Sequence, residues 1–156
     1  MATLLAPLVL SALVLSATAA GRRTAAPSRA VVKVAFNRTL KKVIVVDGRG
    51  WTLYMLAADT AGRSSCRVDI DPLCLQLWRP LTTTGAPQAG TGIKGSLLGT
   101  TKRTDGRQQV TYNGHPLYYF QGSAALPGDM KPGDVQGQDF DHFFFVLSAK
   151  GTPIRR

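Results

Sequence analysis

Short runs of β-branched and aromatic residues, separated by turn residues, constrain the fold of this chain most strongly. Asn113-Gly114 is one such separator, and Asn-Gly pairs close two-residue hairpins. All nine acidic residues are aspartate, so the chain lacks the glutamates that favour helices. The pattern predicts an all-β domain of antiparallel hairpins, forming a small sandwich or barrel-like meander, with at most a short helix near 71–78. The predicted strands are 30–36, 42–47, 51–56, 96–103, 107–112, 115–121 and 142–148.

A weak internal repeat divides this pattern into two parts. The stretches DGRGWTLYML and YNGHPLYYF both place a Gly-x-x-Leu-Tyr element after a turn, at Gly50 to Tyr54 and at Gly114 to Tyr118. The repeat predicts two related hairpin units packed on one core. Strand alternation makes the aromatic run at 117–120 part of that core, or else leaves one side of it exposed as a stacking platform.

The N-terminal residues predict export. Residues 4–20 carry no charge and end in an Ala-x-Ala element at 17–19, so residues 1–19 are expected to form a signal peptide. An uncleaved anchor is the alternative, because the run reaches the lower limit of about 17 residues needed to span a bilayer. No cysteine ends the run, which argues against a lipid anchor there. We expect a flexible tether at 20–30, one all-β domain at 31–150, a basic tail at 151–156, and a secreted or cell-envelope location.

The net positive charge of the chain indicates what kind of partner it could bind. A formal net charge of +10 predicts attraction to an anionic envelope polymer or an anionic lipid surface. The alternative is a solubilising surface, because the basic residues are dispersed along the chain. They form no dense basic stripe, so no specific nucleic-acid partner is predicted.

Two cysteines, Cys66 and Cys74, predict a disulfide, because an even number of cysteines in an exported chain is typical of oxidised pairs. Zinc is the alternative, since His115 and His142 would complete four ligands. The separation of the cysteines is wider than in tight zinc-binding motifs, which favours the disulfide.

An aspartate-rich loop at 129–141 supplies a second metal hypothesis. Asp139 and Asp141, together with His115 and His142, could serve a metal- or redox-linked envelope protein. Aspartate beside glycine or proline is also ordinary turn chemistry, which is the simpler interpretation.

Motifs of common enzyme classes are missing from the sequence. There is no Gly-x-Ser-x-Gly elbow, and the Gly-x-Gly-x-x-Gly match at 90–95 does not follow a predicted strand or open a predicted helix of a βαβ unit. No cofactor is therefore predicted, and the expected role is a non-enzymatic binding or structural module. A secreted enzyme with a dispersed site is the less favoured alternative.

Two long stretches resemble a known family. VIVVDGRGWTLYMLAAD and GSLLGTTKRTDGRQQVTYNGHPLYYFQG are similar to the bacterial secreted or lipoprotein repeat family with a Tyr-x-aromatic-x-x-Asp motif. The resemblance covers roughly residues 31–147. It implies an extracytoplasmic protein and supplies no reaction, because the family is one of unknown function.

The family motif maps onto two places in this chain. The first is Tyr54, Leu56 and Asp59, with leucine in the aromatic position. The second begins at Tyr118 and Phe120, with the aromatic residue intact.

The second motif departs from the family at its acidic position. Ser123 stands where aspartate is expected, and Asp129 can replace it only if the intervening loop folds back. If the motif residues are exposed, they offer a binding face for an anionic envelope component. That predicted face consists of Trp51, Tyr54, Asp59, Tyr118 and Phe120.

Overall fold

The structure is a computed structural model that describes residues 29–155. The predicted signal peptide at 1–19 lies outside the described residues, as do most of the predicted tether at 20–30 and the last residue of the predicted tail at 151–156. Within the described part of the chain, no helix is long and apolar enough to cross a membrane.

Short strands make up most of the regular structure between residues 29 and 155. One α-helical turn, α1 (Cys74–Leu77), and one 3-10 turn (Gly95–Leu97) accompany them. The prediction of an all-β class with a short helix is confirmed. The strands are β1 (Val31–Asn37), β2 (Lys42–Asp47), β3 (Tyr54–Leu56), β4 (Trp78–Pro80), β5 (Thr82–Thr83), β6 (Gln88–Ala89), β7 (Leu98–Lys102), β8 (Gln108–Tyr112), β9 (His115–Pro116), β10 (Tyr118–Phe120) and β11 (Phe144–Val146).

These strands form open sheets and no closed barrel among the described residues. One sheet has the order β2-β1-β6, a second β11-β3-β10-β4, and a third β5-β8-β7 with β9 beside β8. Every pairing is antiparallel except that of β1 with β6. The hairpins predicted at β7–β8 and β8–β9 are both present.

Several predicted element boundaries are wrong, and long-range pairing explains the clearest case. The segment predicted as helical through residue 78 stops at Leu77, because Trp78 begins a strand that pairs with β10. The predicted strand at 51–56 is regular only over Tyr54–Leu56. Residues 82–92, which lie outside the predicted strands, contribute β5 and β6, whose partners β8 and β1 are distant in sequence.

Most of the strands fall into two units with similar strand pairing, in line with the internal repeat. The first runs from β1 to β4 and the second from β7 to β11. In the first, the Val45 N–H donates to the Leu147 carbonyl at 2.9 Å; in the second, the Val110 N–H donates to the Leu81 carbonyl at 2.8 Å. Each of these bonds joins a hairpin of one unit to the end of the other unit.

The last strand of each unit is exchanged. Strand β4 of the first unit pairs with β10 of the second, and β11 of the second pairs with β3 of the first. Between them, Tyr54 and Tyr118 lie directly opposite each other in the antiparallel pairing of β3 and β10. Because each unit completes the sheet of its partner, neither has a finished core alone.

The aromatic run at 117–120 is buried on both sides. Leu117 and Tyr119 pack in one core cluster, while Tyr118 and Phe120 pack in the other, as strand alternation requires. The core interpretation of this run is therefore correct. A stacking platform would need exposed rings, and the exposed fractions of Tyr118 and Phe120 are 0% and 3%.

Candidate functional site

Two tyrosine–aspartate pairs, with buried tyrosines and half-buried aspartates, join the units at their centre. The Tyr118 hydroxyl donates to Asp59 Oδ2 at 2.7 Å, and the Tyr54 hydroxyl donates to Asp129 Oδ2 at 2.8 Å. Each tyrosine thus belongs to one unit and its aspartate to the other. The structure thus brings together two phenols and two carboxylates that are far apart in the sequence.

Asp129 occupies the position that the sequence assigns to Ser123. The Asp59 N–H donates to the Leu56 carbonyl at 3.0 Å, and the Asp129 N–H donates to the Phe120 carbonyl at the same distance. The backbone of each aspartate is therefore bonded to the third residue of its motif, so the two aspartates hold matching positions.

The segment between Phe120 and Asp129 folds back on itself to make this possible. Gly122 and Pro127 form a bridge at the neck of the loop. A Cβ on Gly122 would overlap the backbone of Gly128, and a Cβ on Gly128 would overlap that of Gln121. Only glycine permits this close approach of two chain segments.

The remaining polar atoms of the two pairs are also satisfied. Asp59 Oδ1 accepts from the N–H and the hydroxyl of Ser65, and Asp129 Oδ1 accepts from the N–H of Gln136. The two tyrosines are 0% exposed. Burial raises the pKa of both phenols above its ordinary value, so they stay protonated donors. This arrangement holds the units together and leaves no free group for a ligand.

Burial also affects the carboxyl groups of these pairs. It raises the pKa of Asp129 to about 6, against the hydrogen bonds from Tyr54 and Gln136 that lower it. Burial also raises the pKa of Asp59. Both groups therefore bind a proton more tightly in the folded chain than in the unfolded chain.

A pH-dependent stability follows from Asp129. Because its folded pKa lies above its unfolded value of about 3.9, the free energy of unfolding should rise as pH falls from 7 towards 4. Urea denaturation at pH 7 and at pH 4.5 measures this rise in the free energy of unfolding. In Asp129→Asn the rise should be smaller than in wild type by about 1–2 kcal/mol, a figure that allows for solvent screening. The exposed control Asp69→Asn should keep the full rise. An equal rise in Asp129→Asn and wild type would contradict the prediction.

The cysteines form the predicted disulfide. Cys66 and Cys74 are bonded, with their Cα atoms 5.4 Å apart. A bridge that closes so short a loop contributes about 2–3 kcal/mol in the chain-entropy model. The alternative of a zinc site on these cysteines is wrong, because bonded sulfurs offer no thiolate to a metal.

The histidines and aspartates of the second metal hypothesis are not gathered into one site. His142 is exposed, and its Nδ1 lies 3.1 Å from Asp139 Oδ1. His115 begins β9, where burial lowers its pKa. Among residues 29–155, no three His, Cys, Asp or Glu residues form a group that could hold a metal ion. The predicted set of His115, His142, Asp139 and Asp141 is thus dispersed.

A polar cleft near the start of β1 is the best candidate for a binding site. It has a volume of about 300 Å³ and contains three arginines, Arg29, Arg49 and Arg79. Asp47 and Tyr119 line its inner wall. We call this set of five residues the arginine cleft. Trp51 of the predicted face is half-buried nearby, where its backbone N–H donates to Asp47 Oδ1 at 2.9 Å.

Hydrogen bonds occupy both oxygens of the carboxylate in the arginine cleft. Asp47 Oδ2 accepts from the Tyr119 hydroxyl at 3.0 Å and from the Arg49 guanidinium at 3.3 Å, and Oδ1 accepts from backbone N–H groups. The Arg79 guanidinium lies over the Tyr119 ring, 4.4 Å from its centroid. Within the described residues, Arg29 and Arg79 make no ion pair. Two cationic groups therefore remain available at the mouth of the cleft.

The sequence contains a weak signal for Arg79. In Trp78-Arg79-Pro80, strand alternation places the arginine on the side opposite two buried neighbours. No sequence signal placed Arg29 or Arg49 beside it, because the cleft joins three separate segments. The arginines were therefore missing from the predicted binding face.

A second groove, of about 360 Å³, has a different character. It runs along the disulfide and is mostly apolar, with Leu73, Leu77 and Phe143 among its lining residues. Asp71 and Asp141 line it as well, and no arginine or lysine does. Its charge therefore does not match the anionic partner that the composition predicts.

The segment from β7 into β11 carries the similarity to known proteins. Over residues 99–145 the chain is similar to a lipoprotein family described as a secreted repeat of unknown function. The matched segment coincides with the second structural unit. The match supports the predicted extracellular location at this coarse level and assigns no reaction. No curated protein and no solved structure matches the chain.

Proposed function

We propose that this protein is a non-enzymatic, extracytoplasmic module that binds an anionic component of the cell envelope. The arginine cleft would hold phosphate or carboxylate groups of that component. The observation that carries the proposal is Arg79, an exposed guanidinium that is stacked on Tyr119 and has no carboxylate partner among the described residues. Stacking restricts the guanidinium, so less side-chain entropy is lost when an anion binds.

Charge at the arginine cleft supports this function further. The planar guanidinium donates paired hydrogen bonds to phosphate and carboxylate oxygens, which a solubilising charge does not require. The hydrogen bonds on Asp47 fix the Tyr119 ring beneath Arg79. The formal net charge of +10 would raise the rate of encounter with any polyanion.

The family motif has a structural role in this proposal. We infer that the crossed Tyr54–Asp129 and Tyr118–Asp59 pairs are the form that the Tyr-x-aromatic-x-x-Asp motif takes in this chain. Their role would be to lock two repeats into one body, with ligand binding at the arginine cleft outside them.

Replacing Arg79 tests the proposal. Inorganic polyphosphate at low salt should bind Arg79→Gln about tenfold more weakly than wild type, because a charged hydrogen bond is lost. The matched control is Arg63→Gln, which removes the same charge from another exposed arginine outside the cleft. Isothermal titration calorimetry at two salt concentrations measures both effects, and wild-type affinity should fall with salt. Equal weakening in the two variants, or affinity insensitive to salt, would contradict the proposal.

A further inference from the structure

The free end of the β1–β2 hairpin exposes apolar side chains. Phe36 and Val43 are cross-strand partners, with exposed fractions of 63% and 44%. On the same face of these strands, Val32 and Val45 are fully buried in the first core cluster. The row of apolar side chains therefore continues from the core into solvent, and Phe36 and Val43 at its outer end do not serve core packing.

A neighbouring loop packs against the other face of the hairpin end, beside Ala35, Asn37 and Ile44. Asn37 Nδ2 donates to the Gly133 carbonyl at 2.8 Å, which ties the hairpin end to the loop at 130–134. In that loop Met130 is 75% exposed. The N–H groups of Met130 and Lys131 both donate to Asp134 Oδ2, which fixes the turn that presents these two side chains.

Cations surround the apolar side chains. Arg38, Lys41, Lys42 and Lys131 are all exposed, and none makes an ion pair within residues 29–155. Asp134, the carboxylate of the adjacent loop, is occupied by backbone N–H groups. The surface thus combines protruding apolar groups with unpaired positive charge.

We propose that this surface docks on an anionic lipid bilayer. The hairpin end is defined as Phe36, Arg38, Lys41, Lys42 and Val43, together with Met130 and Lys131. Its apolar side chains would enter the boundary between headgroups and acyl chains, and its cations would contact lipid phosphates. A dissolved polyanion would leave Phe36, Val43 and Met130 without partners, which is why the combination favours a bilayer. The proposal does not depend on the arginine cleft.

Vesicle binding tests this proposal. The folded domain should co-sediment with vesicles of phosphatidylglycerol and phosphatidylcholine, and much less with phosphatidylcholine alone. Phe36→Ser should weaken this binding about tenfold, the expected effect of losing one buried aromatic side chain. Phe143→Ser is the matched control, because Phe143 is 53% exposed and lies on the apolar groove instead. Phe36 is largely exposed, so its replacement should leave the fold intact.

A gain-of-signal variant provides a second measurement. Phe36→Trp should keep vesicle binding and add a blue-shifted emission component on anionic vesicles, because the new indole enters the interface. The proposal is overturned if Phe36→Ser and Phe143→Ser bind equally, or if the emission of the Phe36→Trp variant does not shift. Arg79→Gln separates the two proposals: it should lose polyphosphate binding and keep vesicle binding.

Discussion

Trp78→Ala is expected to lower the free energy of unfolding by about 3–5 kcal/mol, the range for removing a large buried aromatic side chain. Trp78 is 1% exposed. Its ring stacks on Phe144 with centroids 3.6 Å apart and lies 4.5 Å from the ring of Phe120. Phe144 and Trp78 occupy equivalent positions in the two exchanged strands. The substitution therefore removes a contact on which both units depend.

Urea denaturation followed by far-ultraviolet circular dichroism measures this effect. Trp51→Ala is the matched control, since Trp51 is half-buried and lies at the edge of the other core cluster. Its replacement should cost about 1 kcal/mol, because less apolar area is lost from the core. A Trp78→Ala variant as stable as Trp51→Ala would show that the exchanged strands are not coupled through this ring.

Arg103→Ala is expected to lower the free energy of unfolding by about 3 kcal/mol, although arginine is usually a surface residue. The exposed fraction of Arg103 is 5%. Its guanidinium donates to Gln109 Oε1 at 2.8 Å, to Ser64 Oγ at 3.1 Å and to the Cys66 carbonyl at 3.1 Å. These bonds tie the β7–β8 hairpin of the second unit to the disulfide loop of the first.

The neighbouring residue provides a control for Arg103. Lys102→Ala removes a positive charge at the exposed last residue of β7, directly before Arg103, and should change stability by less than about 0.5 kcal/mol. Arg103→Met keeps the aliphatic packing but loses the hydrogen bonds and the ion pair with Asp105, so it should remain clearly destabilised. An Arg103→Met variant with wild-type stability in urea denaturation would contradict the assigned role.

Local patterns predicted most strands of this fold. The β-branched stretch at 42–47 matches β2 in both bounds, and Asn113-Gly114 closes the predicted hairpin, because short-range turn chemistry fixes both. Cys66 and Cys74 also formed the predicted bond. In these cases the determining contacts lie within a few residues of each other.

Long-range partners account for what the sequence did not predict. Trp78 leaves the predicted helix because its pairing partner is Phe120, and no local signal encodes that pairing. Asp129 reaches Tyr54 only because the stretch between Gly122 and Gly128 loops out. The repeat indicated two units, but it did not indicate that each aspartate would accept from the tyrosine of the other unit.

The candidate site shows the same division. Sequence reasoning predicted an anionic partner from net charge, and placed binding on the aromatic motif. The structure buries Tyr54, Tyr118 and Phe120, and instead gathers Arg79 with Arg29 and Arg49 from separate segments. Charge could be counted from the sequence, whereas its concentration in one cleft required the fold.

A ¹H–¹⁵N NMR titration with tripolyphosphate tests the central proposal, anion binding in the arginine cleft, most directly. We predict saturable shifts of the Arg79 side-chain Nε–H and of the amides of Gly48, Arg49 and Tyr119, which line the cleft. Arg63 and Lys150, both exposed and outside the cleft, should shift little. Shifts spread over exposed lysines and arginines without saturation, with no larger change at Arg79, would contradict a specific site there.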